Sequence, residues 1–109
     1  MNSTETYDHF AIEFPPVHPE DHTWRNVHDG HTSNINTLSE MITEYIEGSS
    51  AVVVIHSLPG IGAKLALSEV AGFVTPHILS AEIQIADPEF SSFVAIARSG
   101  VATGWKVEK

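Results

Sequence analysis

The run Ala51-Val52-Val53-Val54-Ile55 constrains this chain more than any other feature. Its β-branched side chains crowd the turns of a helix and fit a pleated backbone, so the run reads as a strand. Successive strand residues point to opposite faces, and every residue here is apolar, so both faces of that strand must be covered. Such a strand requires a layered arrangement around one sheet. With 109 residues, 42% of them hydrophobic and 17% charged, the chain has the length of one domain and enough apolar material for one core. Residues 1–109 are accordingly read as a single domain.

On either side of the run the periodicity changes. Phe10, Ile12 and Phe14 alternate with Ala11 and Glu13 until Pro15 and Pro16 remove the ladder donors, which predicts a short first strand. A His-rich polar segment, 15–36, follows with Trp24 and four of the seven histidines, too long for an ordinary structureless connection. Pro19, with Glu20 and Asp21 in a first turn and Gly30 as terminator, predicts a short helix there. Thr37 and Glu40 have capping-box spacing, and Leu38, Met41, Ile42, Tyr45 and Ile46 recur at helical intervals before Gly48. After the central run, Ala63, Leu67, Val70 and Val74 form one stripe of a helix over 61–74, weakened by Gly72 and stopped by Pro76.

From Leu79 the period is two: Leu79, Ala81, Ile83 and Ile85 point one way, Ser80, Glu82 and Gln84 the other. Asp87, Pro88 and Glu89 make a turn, 90–98 a second strand, and Ser99 with Gly100 a tight turn into a third over 101–107. The expected fold is therefore α+β, in the order β-α-β-α-β-β-β with the 19–30 helix set aside. A mixed sheet carries its helices on one face and ends in an antiparallel meander.

Charge and composition narrow the chemistry. Five Lys and Arg against fourteen Asp and Glu give a net charge of -9, a field that repels phosphate backbones and attracts cationic surfaces, so nucleic acid is not the expected partner. The absence of cysteine removes disulfides, thiolate nucleophiles and thiolate metal sites, and fits a cytoplasmic location. Residues 1–8 lack the basic start and apolar run of a signal peptide, and no stretch approaches the roughly 20 apolar residues of a membrane span.

Two groups of residues stand out. The first is Leu58-Pro59-Gly60-Ile61-Gly62-Ala63-Lys64-Leu65-Ala66, nine residues that resemble the turn and second helix of the helix-hairpin-helix family. The resemblance implies backbone N–H groups gripping DNA phosphates. The sequence departs from that family where Val52 to Ile55 stand in place of a first helix. From the residues themselves, the stretch reads as a strand-to-helix turn in which Gly60 and Gly62 allow tight geometry and Lys64 assists an anion at the helix start. It has neither a Walker ending nor a Gly-x-Gly-x-x-Gly fingerprint.

The second group is His18, His22, His28 and His31, with Asp21 and Asp29 between them. Neutral imidazoles bind Zn, Cu or Ni, and His18 and His22 share a face if a helix spans them. No His-Glu-x-x-His is present, and such residues are ordinary tenants of exposed loops, so no cofactor is expected. His9, His56 and His77 fall near element ends and read as structural. Among the serines there is no Gly-x-Ser-x-Gly elbow, and no carboxylate pair stands in a catalytic context.

Glu40, Glu44 and Glu47, three and four apart, form an acidic ridge beside the apolar stripe of their helix. Small size, strong acidity and the lack of a catalytic motif make a protein-interaction module the leading expectation: an inhibitor, immunity protein or antitoxin that blocks a basic partner. The alternatives are a small enzyme or ligand-binding domain using the Gly60–Gly62 turn, and a His-dependent metal-binding protein.

Overall fold

The computed structural model describes residues 24–27, 35–46, 48–57 and 60–106. They form an α+β fold in which one antiparallel sheet carries two helices. Its elements are β1 (Arg25–Asn26), α1 (Ile35–Tyr45), β2 (Ser50–His56), β3 (Ile61–Ala66), α2 (Leu67–Val74), β4 (Glu82–Ala86), β5 (Ser92–Ile96) and β6 (Val101–Lys106). The strands lie in the order β1-β6-β5-β4-β2-β3. The expected first strand over 10–14 lies outside the described residues.

β2 is flanked on both sides, by β3 and by β4, and Ala51 to Ile55 are buried on both faces as their composition requires. Ala51, Val53 and Ile55 point toward the helices, where the register aligns Val53 with Ala63 on β3 and Ile85 on β4. Val94, Ile96 and Ala102 continue that face across β5 and β6. Leu38, Met41 and Ile42 of α1 and Val70, Ala71 and Val74 of α2 close the core from above. The two helices touch each other, with α1 over β5 and β6 and α2 over β2 and β3.

α1 buries the stripe read from its sequence, with Tyr45 half-buried against the core and Ile46 buried just beyond its end. Thr37, expected at its cap, is the third residue of the helix. Gly48 has φ 90°, a left-handed conformation that suits glycine after a helix.

Three expectations need correction. The helix predicted over 61–74 begins only at Leu67, and Ile61–Ala66 is a strand forming a hairpin with β2. Ile61, Ala63 and Leu65 alternate at the period of a strand, only Ala63 of this segment belongs to the helical stripe, and β2 offers an unpaired backbone edge. Those ladder bonds override the helix propensity of Ala63 to Ala66. The extra reversal has a consequence for the whole sheet. A helix leading directly from β2 to its neighbour would make the two parallel, whereas with β3 inserted β4 returns antiparallel to β2. The sheet is therefore wholly antiparallel rather than mixed.

The helix predicted from Pro19 to Gly30 is likewise absent where the chain is described: Arg25 and Asn26 pair with Ala102 and Val101, and the remainder lies outside the described residues. The strand expected from Leu79 starts at Glu82, because a 3-10 turn at Thr75–His77 runs on into turns. The N–H groups of Ser80 and Ala81 both donate to the His77 carbonyl, and Leu79 takes φ 77°.

Past that point the meander follows its sequence. β4, β5 and β6 pair antiparallel in succession, joined by the turn after Asp87 and by a turn ending at Gly100, whose φ is 90°. Ile83 and Ile85 are buried, Glu82 is exposed and Gln84 is half-buried, as the alternation requires.

Candidate functional site

The sheet face turned away from the helices holds a concavity lined in part by polar side chains. Antiparallel register places His56 opposite Glu82, Val54 opposite Gln84, and Gln84 opposite Ala95. All of these side chains project from the same face. A cavity of about 260 Å³ opens there, lined by Trp24, Glu82, Gln84, Ala95 and Ala97 together with Ile83 and Ile96. A second cavity of about 330 Å³ shares Trp24 and Ala97 and adds Ser99 and Val101. Trp24 stands just before β1, and the pairing of β1 with β6 brings it to this face.

His56 is fixed by chemistry beside the cavity. Its Nε2 lies 2.7 Å from Gln84 Oε1, so a ring protonated at Nε2 donates to the amide oxygen. Beyond the cavity, Phe93 and Trp105 stack with ring centres 5.2 Å apart and planes 23° from parallel. Both tryptophans are half-buried, an assignment their sequence positions left open.

Asp87 is the most perturbed carboxylate described. Burial pushes its pKa up, but the backbone N–H groups of Ser92 and Ser91 and both serine hydroxyls outweigh that and hold it below the ordinary range. Oδ1 accepts from the N–H groups of Ser91 and Ser92, each at 2.7 Å, and Oδ2 from the Ser91 hydroxyl at 2.9 Å. The carboxylate is occupied in tying the β4–β5 turn, so its role is structural.

The residues expected to carry function are dispersed. On α1, Glu40 and Glu44 are exposed, and Glu44 Oε2 accepts a hydrogen bond from Arg25 Nη1 at 3.3 Å. Glu47, the third residue of the ridge, lies outside the described residues. Gly60 precedes β3, Gly62 lies within it opposite Val54, and Lys64 lies opposite Val52. None of the three adjoins the start of α2, so the anion site expected at a strand-to-helix turn loses its helix terminus. The same strand replaces the second helix that the helix-hairpin-helix resemblance implied.

His18, His22, His28 and His31 lie outside the described residues, as does His9. Among the described residues no group of three His, Asp or Glu side chains could hold a metal ion. His77, in the 3-10 turn, packs its ring 6.3 Å from that of Phe73. Among the described residues no helix is long and apolar enough to cross a membrane.

Sequence reasoning missed the cavity beside His56, because it depends on four strands meeting in register. The one available signal was the alternation that placed Glu82 and Gln84 on the face opposite Ile83 and Ile85. Comparison with protein-family models, with curated proteins and with solved structures finds no match.

Proposed function

We propose that this chain is a small acidic protein-interaction module that binds a basic protein partner by charge complementarity, in the manner of an inhibitor, immunity protein or antitoxin, and performs no reaction of its own. The observation that carries this reading is the polarity of α1: Leu38, Met41 and Ile42 are buried while Glu40 and Glu44 face outward. The carboxylates can therefore meet a cation without disturbing the core. Glu44 already holds one guanidinium, that of Arg25, with both side chains about half exposed (44% and 52%). An exposed pair of this kind is worth about 0–1 kcal/mol, so a partner's cation can replace Arg25 at little cost. The net charge of -9 extends the attraction beyond the helix.

The test begins with a single stoichiometric basic protein recovered with the chain from its native host. Association and dissociation rates are then measured across a salt series for the wild-type chain and for the triple variant Glu40→Lys, Glu44→Lys, Glu47→Lys. Long-range attraction acts on encounter, so the variant should associate at least tenfold more slowly at low salt, with a smaller change in dissociation. Added salt should slow the wild-type chain in the same way as the Debye length shortens to about 8 Å at physiological strength. A correctly folded triple variant that associates at the wild-type rate at low salt would end the proposal.

A further inference from the structure

We propose that the cavity on the sheet face away from the helices is a slot for one guanidinium group, that of an arginine side chain presented by the basic partner. The inference rests on the partner reading for the source of the guanidinium alone.

Four features converge on that ligand. The lining includes Ala95 and Ala97, short side chains that leave room where larger ones would fill the space. The lining also includes the aromatic residue Trp24 and, from β4, Glu82 and Gln84. At about 260 Å³ the space lies just below the roughly 300–1,000 Å³ of sites for drug-sized ligands, a size for one long side chain. The charge in the lining is a carboxylate in a chain of net charge -9, which disfavours anions.

Arginine fits better than lysine. Its planar fork stacks on an aromatic ring while the edge donates to a carboxylate and an amide, whereas an ammonium is a compact, strongly hydrated point charge. His56, whose Nε2 lies 2.7 Å from Gln84 Oε1, holds that amide in place.

The experiment uses the full chain carrying Trp105→Phe, which leaves Trp24 as the only indole, and N-acetyl-arginine amide as the probe. Titration is followed by tryptophan fluorescence and by the Trp24 indole N–H resonance. The expected result is saturable binding at millimolar probe, weakened at least fivefold by Glu82→Gln and by Ala97→Leu. N-acetyl-citrulline amide, the uncharged analogue, should bind at least fivefold more weakly. Glu82 is exposed, so its replacement spares the fold and keeps the test informative even if the alanine variant unfolds.

No saturable response from Trp24, or equal binding of the citrulline probe, would overturn the slot. If the slot fails while partner association still depends on the α1 carboxylates, the partner reading stands without it. Saturable arginine binding in a chain whose partner ignores those carboxylates would instead leave the slot standing and remove the ridge.

Discussion

Asp87 follows β4 immediately, is only 4% exposed, and accepts from the N–H groups of Glu89, Ser91 and Ser92 as well as from two serine hydroxyls. These bonds favour the charged form, so the folded-state pKa lies below the unfolded one. The resulting stabilisation is present in full above the unfolded value of about 3.9 and is lost as pH falls through the lower folded value. Asp87→Ala leaves the buried N–H of Ser92 without its acceptor, and should lower stability by about 1–3 kcal/mol at pH 7 in urea unfolding. The gap between variant and wild type should narrow as the pH is taken toward 2. A gap of equal size at both ends of that range would mean that the charge of Asp87 does not stabilise the turn.

The seam between α1 and β6 depends on the smallest side chain. A Cβ on Gly104 would run into the Tyr45 ring, which lies over the strand at that point. Gly104 shares with Val94 the face toward the helices, so the glycine lets the helix approach the sheet. Gly104→Ala should therefore destabilise by about 1–3 kcal/mol despite the better strand propensity of alanine, because ring and backbone must separate. In a Tyr45→Ala background the same change should have little effect, giving a coupling of about 0.5–3 kcal/mol in a double-mutant cycle. Additive losses would place the clash elsewhere.

For the molecule as a whole, β2 is the element around which the rest is assembled. It pairs with a hairpin partner on one side and with the meander on the other, and α2 packs across it. Val53 is fully buried among these contacts, facing the helical layer. An unpaired carboxylate there meets a desolvation penalty of several kcal/mol, comparable with the 5–15 kcal/mol that stabilises an ordinary domain. Val53→Asp should abolish the cooperative thermal transition seen by circular dichroism. A soluble variant with an unchanged Tm would contradict the central placement of β2.

Local chemistry determined what can be read within one element. The β-branched run became β2 because such residues resist helix and because no polar side chain gave it a wet face. The stripe of Leu38, Met41 and Ile42 became the buried side of α1, and the alternation after Ala81 became β4 with its inward isoleucines. Residues 61–66 combine the alternation of a strand at Ile61, Ala63 and Leu65 with the helix propensity of Ala63 to Ala66, and the free edge of β2 decided that they would pair rather than coil. That long-range choice also set the direction of β4 and made the sheet antiparallel throughout. The candidate site belongs to the same class of outcome. Trp24, Glu82, Gln84 and Ala95 come from three separate stretches of the chain and meet only through the registers of β1 with β6, β6 with β5 and β5 with β4. Periodicity fixes which face a residue takes, but which residues become neighbours on that face is set by hydrogen bonds between strands distant in sequence, and those exist only in the folded sheet.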